Sequence, residues 1–292
     1  MIFTITFNDR LNHYLGNIMN ETVIDSDKFY TIKHYQNIYS NNNGLMRNYI
    51  NPFNQLLKNY DYTNKVFLLI IGDIQNTLNK YGFVKNRTID DNKPIILKCL
   101  NFNRHWGHYY NKPKDLPYEK KINKVFWRGI TTGKETNKGN RFQLIKKWFN
   151  KHNNINIGFS NICQNKKQYN KYVKGICEIS EFLKYKYILS VEGNDKDSGL
   201  NWKLNSNSLI FMAKPTKVSW LMEDKLIPNY HYILLKNDFS DLHEKYLWCE
   251  QNPNKCKEII KNANNYMSMF SNKKQEVLLE KQILDEYFKR LL

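Results

Sequence analysis

Between Lys186 and Leu235 three short apolar runs alternate with polar stretches. Tyr187 to Val191 carries no polar alternation, which suits a strand covered on both faces, and it breaks at the polar turn Glu192-Gly193-Asn194-Asp195. A helix is expected next, capped by Asp197 or Ser198, with Leu200, Trp202 and Leu204 as its apolar side and Asn205 to Asn207 as its stop. Ser208 to Met212 reads as a second strand. Thr216 to Leu226 reads as a helix opened by Pro215 and ended by Pro228, and Tyr230 to Leu235 as a third strand. These crossovers have the length that parallel strands need, so the segment predicts half of a doubly wound sheet. Ligands of such sheets sit beyond the carboxyl ends of the strands, which puts the loop Glu192 to Gly199 where a nucleotide docks.

The remaining pattern is less regular. Ile2 to Phe7 is a candidate first strand, and Leu45 to Tyr60 has helical spacing. In Lys65 to Gln75, KVFLLIIGDIQ, six consecutive apolar residues predict a strand covered on both faces, with Asp73 at its carboxyl end and Pro94 to Leu100 as a neighbour. There Asp73 reads either as an active-site carboxylate or as the cap of a following helix. Asn103 to His108 is a polar and aromatic cluster; His105 and His108 are three apart, but with no third metal ligand nearby, packing or a substrate-side surface is the better reading. Lys112 to Lys121, with Pro113 and Pro117, looks like a linker. Lys124 to Gly133 then runs from a strand into a Gly and Thr loop, with a helix following from Arg141, so backbone N–H groups can face an anion. It is no Walker motif, which argues against an NTPase. Three helices close the chain: one from Asp238 or Ser240, one over Asn254 to Phe270, and one over Gln275 to Leu292 with Val277, Leu278, Ile283, Leu284, Tyr287, Phe288 and Leu291 as its apolar face.

Composition changes this picture in two places. The chain of 292 residues has a net charge of +18, which invites a nucleic-acid reading. Only seven of its 45 basic residues are arginine, scattered from Arg10 to Arg290, and arginine is the side chain such sites favour, so no specific nucleic-acid partner is expected. Five cysteines, Cys99, Cys163, Cys177, Cys249 and Cys256, form no CxxC pair and suggest free thiols in a reducing compartment. With no signal-peptide pattern and no long apolar run, a cytoplasmic location is expected, with no transmembrane segment and at most a weak attraction to anionic surfaces.

The order EGND, then a small residue with Gly199, Leu200 and Trp202, then Ser206-Asn207-Ser208, then W-x-ME-x-x-L-x-P-x-x-HY from Trp220 to Tyr232, resembles glycosyltransferase family 90, the lipopolysaccharide-modifying and protein O-glucosyltransferase-like group. The resemblance implies an α/β chain of GT-B type, with two Rossmann-like domains facing across a cleft. On this resemblance residues 1–120 are expected to form the acceptor-side domain, 121–275 the nucleotide-sugar domain, and 276–292 a helix crossing back to the first. It also implies an inverting, metal-independent transfer of glucose or xylose from a UDP-sugar to a glycan or glycoconjugate hydroxyl, with no cofactor. Asp73, in Asp73-Ile74-Gln75, matches the family's base, although a proline common in that turn is missing. Arg128, Gly129, Thr131, Thr132 and Arg141 match the nucleotide pocket. Glu192, Gly193, Asn194, Asp195 and Ser198 are expected near the sugar and phosphates. Animal members place an arginine in the segment of Gly199, so Lys203 or Arg141 is expected to supply that charge, and Glu223 to hold ribose hydroxyls. The competing readings are a metal-dependent transferase using Asp25-Ser26-Asp27 or Asp195-Lys196-Asp197, and a non-catalytic binder of anionic glycans or nucleic acid. His231 reads as a structural partner of the strand after it.

Overall fold

The computed structural model describes residues 5–24 and 28–291. The chain divides into two compact units, the first built from residues 1–104, 217–223 and 272–292, the second from 105–216 and 224–271. The first division falls at 104/105 rather than at 120. The stretch expected as a linker therefore belongs to the second unit: Lys112 donates to the Asn205 carbonyl, and the buried Lys121 ammonium pairs with Asp115. These lysines have fixed oxygen partners where a linker would leave them solvated.

In the second unit, β4 (Ile122–Gly129), β5 (Ile155–Phe159), β6 (Tyr185–Leu189), β7 (Leu209–Met212) and β9 (Ile233–Leu234) form one parallel sheet in the order β5-β4-β6-β7-β9. All four residues of β7 are buried, as parallel strands covered on both faces must be. Val125, Trp127, Ile157, Leu189 and Phe211 share a core with Phe142 and Ile145 of the helix Arg141–Trp148 and with Cys256 and Ile259 of the helix Pro253–Ser268. β5 has no counterpart in the expected elements. It is the strand that turns the sheet into one with a switch of direction: the chain leaves β4 towards β5 on one side and leaves β6 towards β7 on the other.

The expected helix from Thr216 to Leu226 is absent. Lys217–Ser219 forms β8, antiparallel to β2 (Asn86–Thr88) within the first unit, and a single 3-10 turn follows at Glu223–Lys225. Trp220, Leu221 and Met222 are all buried, so no polar face is left for a surface helix, and Met222 takes φ +55°. The Glu223 carboxylate closes this turn by accepting the Ser219 N–H at 2.7 Å and its hydroxyl at 2.8 Å.

The remaining strands of the first unit are short. β1 (Phe83–Val84) pairs in parallel with β3 (Ile95–Ile96), and the run from Lys65 reaches them through one parallel bridge, Leu69 to Phe83. Phe67 and Leu69 are buried while Val66 is exposed, so this run has one covered face rather than two. The Rossmann-like sheet expected here is thus reduced to ladders of two or three residues among the described residues. Of the candidate strand Ile2 to Phe7, residues 1–4 lie outside the described residues, and Phe7 opens the helix Phe7–Leu15, whose capping box joins Thr6 and Asp9. The C-terminal helix Lys273–Lys289 packs in this unit through Leu279, Ile283, Leu284, Tyr287 and Phe288, whereas Val277 and Leu278, expected on that face, point outward.

Candidate active site

The switch of direction lies between β4 and β6, the place where loops leaving adjacent strands diverge and open a crevice. The loops after these two strands are laced together. Asn194 Oδ1 accepts the Gly133 N–H at 2.9 Å and the Gln164 amide at 3.2 Å. Arg141, the first residue of its helix, donates to the Val191 carbonyl from Nε and Nη2, to the Ile130 carbonyl at 2.9 Å and to Thr132 Oγ1 at 2.7 Å. Thr131 Oγ1 donates to the Cys163 carbonyl at 2.9 Å and accepts its N–H at 2.8 Å, which ties in the loop after β5.

Two glycines permit this approach. Gly133 has φ +97°, and a Cβ on it would lie 3.0 Å from the Gly193 carbonyl oxygen; a Cβ on Gly193 would lie 2.5 Å from Thr132 Oγ1 and 3.0 Å from Arg141 Cζ. The structure thus gathers Thr131, Thr132, Gly133, Arg141, Gly193 and Asn194 into one hydrogen-bonded cluster, in which the Thr132, Gly133 and Gly193 N–H groups donate to protein oxygens and Arg141 joins the two loops.

Other expected residues have specific employments. The Arg128 guanidinium lies 4.5 Å over the Phe126 ring and donates to the carbonyl and side chain of Asn156 on β5. Lys203 pairs with Asp197, which also accepts Ser190 Oγ at 2.8 Å and the Gly199 N–H at 2.9 Å. Burial pushes the Asp197 carboxyl up, but Lys203 and these donors outweigh it and hold the pKa below the usual value. Gly199 stands at the N-terminus of the helix Leu200–Leu204, where a Cβ would press on Trp202. Glu192 accepts the Thr216 N–H at 2.9 Å, and the buried Asp195 accepts the Gly193 N–H through its carbonyl. Ser198 is half-buried in this loop. Glu223 is not among these residues; it is buried in the first unit and engaged with Ser219.

His231 is buried, its ring lies 5.1 Å from that of Tyr266, and Nδ1 accepts the Ile227 N–H at 2.9 Å, so these side-chain partners lie outside the strand that follows it. Burial lowers its pKa from 6.5 to about 4.

In the first unit Asp73 follows Gly72, which has φ +101°, and its carboxylate pairs at 2.6 Å with the buried ammonium of Lys85. Asp73 lines a cavity of about 750 Å³ together with Arg47, Asn48, Asn101, Asn103 and Arg104. The side-chain amides and guanidinium groups make this a wall of hydrogen-bonding groups, the chemistry that sugar hydroxyls need. The cluster from Asn103 gave part of this wall in the sequence; Arg47, Asn48 and Lys85 carried no signal, because each sits in a segment whose apolar spacing reports only its buried neighbours.

Among the described residues no three His, Cys, Asp or Glu side chains gather as a ligand set for a metal, and no helix is long and apolar enough to cross a membrane. His105 is buried and His108 exposed in the helical stretch Asn103–Tyr110. Asp25-Ser26-Asp27 lies outside the described residues.

Comparison with known proteins places the chain in a family. The family model for glycosyl transferase family 90 matches residues 101–292. The O-glucosyltransferase LpsA of Dichelobacter nodosus is 32% identical over 221 residues, an alignment covering 75% of this chain and 66% of LpsA. Protein O-glucosyltransferase 2 of Danio rerio is 31% identical over 144 residues, 49% of this chain and 28% of that protein. The uncharacterized protein 179R of Invertebrate iridescent virus 6 is 37% identical over 89 residues, 28% of this chain and 8% of its own length. The chain thus spans just under two thirds of LpsA and far less of the other two relatives. The matched segment runs from the Asn101 wall of the cavity through the whole parallel sheet to the C-terminal helix, and by that match the chain belongs to glycosyl transferase family 90.

Proposed function

We propose that this protein is an inverting glycosyltransferase that moves a hexose or pentose, glucose before xylose, from a UDP-sugar to a hydroxyl of a glycan or glycoconjugate. The observation that carries the reading is the lacing of the loops after β4 and β6 at the switch of the sheet, inside the segment the family model covers. The names of LpsA and protein O-glucosyltransferase 2 favour glucose as the transferred sugar. In this reading the laced loops, held in place by Arg141, form the wall beside which the diphosphate departs, and the positive guanidinium lowers the cost of the charge that develops there. Asp73 takes the proton of the acceptor hydroxyl, and a single displacement inverts the anomeric centre. The reading assumes a GT-B arrangement, with the acid supplied by the first unit and the donor held by the second. It takes the transfer as metal-independent and the compartment as cytoplasmic, the latter in keeping with the five free thiols.

The test pairs binding with turnover. UDP should raise the melting temperature more than ADP does, and UDP-glucose should be hydrolysed or transferred in the presence of EDTA. Asp73→Asn should lower transfer by about 10²- to 10⁴-fold while UDP still binds. Unchanged transfer in that variant removes Asp73 as the base, and activity that EDTA abolishes and Mn²⁺ restores returns the metal-dependent alternative.

A further inference from the structure

The seven arginines fall into two groups. Five direct their guanidinium at protein oxygens: Arg10 at Glu276 and Tyr14, Arg87 at the carbonyls of Pro94 and His13, Arg128 at Asn156, Arg141 at the laced loops, and Arg290 at Glu286 and the Glu21 carbonyl. Arg47 and Arg104 are different. Neither guanidinium has a hydrogen-bond or ion-pair partner among the described residues, both are exposed, and both line the Asp73 cavity.

Their common position is built in. Arg47 sits in the helical turn Met46–Ile50 and Arg104 in the turn Asn103–Gly107. Asn101, held at φ +58°, joins the two by donating its N–H to the Asn48 carbonyl at 2.6 Å and its side-chain amide to the Tyr49 hydroxyl at 3.4 Å. Asp73, the one carboxylate among the described residues lining this cavity, is already paired with the buried Lys85 ammonium, so the two guanidinium groups of the wall have no opposing charge on it. Glu280 lines a smaller cavity of about 300 Å³ that also touches Arg47; burial pushes its carboxyl up to about 7, and it accepts the Cys99 N–H at 2.8 Å. A wall meant for neutral hydroxyls alone has no need of two uncompensated guanidinium groups, which match the planar oxygens of phosphate and carboxylate.

We propose that the Asp73 cavity accepts an anionic sugar, one bearing a phosphate or carboxylate group, and that Arg47 and Arg104 are the pair that binds the charge. The proposal rests on the reading of Asp73 as the acceptor-side base and names the acceptor class for it.

The test is ligand-observed NMR on the full chain with glucose 6-phosphate, glucuronate and glucose as probes, with and without saturating UDP. The expected result is binding of at least one anionic probe over glucose, in a manner UDP does not compete away and added salt weakens. Whichever anion is preferred identifies the acceptor group as phosphate or carboxylate. Arg47→Gln and Arg104→Gln should each weaken that binding by about 10- to 100-fold. Arg47→Lys and Arg104→Lys should retain part of it, and circular dichroism should show every variant folded. The proposal is overturned if the anionic probes bind no better than glucose, if their advantage survives in the double Gln variant, or if UDP displaces them, since the cavity would then belong to the donor. Failure of the functional reading has a separate signature: no sugar nucleotide is turned over by the wild-type chain, while the anion selectivity stands.

Discussion

At the scale of single residues, the candidate donor site depends on atoms that are missing as much as on those present. Gly193 leaves room for Thr132 Oγ1 and the Arg141 guanidinium, and a methyl group there would meet the first at 2.5 Å. Overpacking of this kind costs about 1–3 kcal/mol, and relief requires the two loops to part. Gly193→Ala is therefore expected to weaken UDP binding by about 10- to 100-fold in calorimetry, and Thr132→Ala added to it to restore part of the loss. Equal affinities for wild type and Gly193→Ala would detach the laced loops from nucleotide binding. His231 carries a different kind of consequence. Its folded-state pKa of about 4 lies below the unfolded value of 6.5, so the unfolded chain takes up a proton first as the pH drops. Its contribution is fully present above pH 6.5 and is lost between there and about pH 4, to the order of 3 kcal/mol. His231→Asn, whose amide oxygen can take the Ile227 N–H, should flatten the fall of melting temperature over that window; parallel pH profiles would contradict the assignment.

Elements show where local pattern suffices. β7 reads directly from the sequence and β6 to within two residues, because a parallel strand buried on both faces is a short unbroken apolar run, and Gly193 and Asn194 mark the turn after β6. The same logic fails over Thr216 to Leu226, where Lys217–Ser219 pairs with β2 and the buried Trp220 stacks on Tyr14 and donates to Glu276, partners that come from distant parts of the chain. It fails again for the C-terminal helix, whose pattern suggested Val277 and Leu278 as core, whereas the side that is buried begins with Glu276. That glutamate accepts from Arg10 at 2.5 Å, Lys98 at 2.6 Å and the Trp220 indole at 2.7 Å. No periodicity announces a carboxylate whose three partners lie 56 to 266 positions away. Among the candidate residues, the turn at Gly193 and Asn194 was legible because turn chemistry is local, while Arg47 on Asp73's cavity wall and Lys85 as Asp73's partner were not, because only the folded first unit brings them to Asp73. Glu276→Leu should be the most damaging single change on this helix. It leaves the Arg10 and Lys98 charges buried without their carboxylate, a loss of about 3–5 kcal/mol, read as a lower midpoint in urea. A midpoint within experimental error of wild type would mean that water or another acid already shares those charges.

For the whole molecule, the order of segments matters more than the strength of any one contact. The first unit is assembled from the start of the chain, from seven residues around Trp220, and from the C-terminal helix, so the second unit is interrupted by part of the first. The last helix lays Tyr287 against Phe83 at 4.2 Å between ring centroids and Phe288 against Tyr62 at 4.6 Å, with Leu279, Ile283 and Leu284 buried beside them. Burying a side chain of this size is worth about 1.5–3 kcal/mol, so the helix contributes on the order of 10 kcal/mol. That is as large as the net stability of a typical domain, about 5–15 kcal/mol. A chain ended at Ser271 should therefore lose the first unit as a whole rather than fray at one end. Its second unit keeps all five strands of the parallel sheet and the helix Pro253–Ser268, and has its own core. Hydrogen exchange on the truncated chain should show rapid exchange at Phe83–Val84 and Ile95–Ile96 beside slow exchange in β4, β6 and β7. UDP should still protect the loops after β4 and β6, while transfer to an acceptor is lost with Asp73's wall. Retained protection across β1 and β3 would show that the first unit stands without its last helix, and loss of protection across both units would show that neither folds independently of the other.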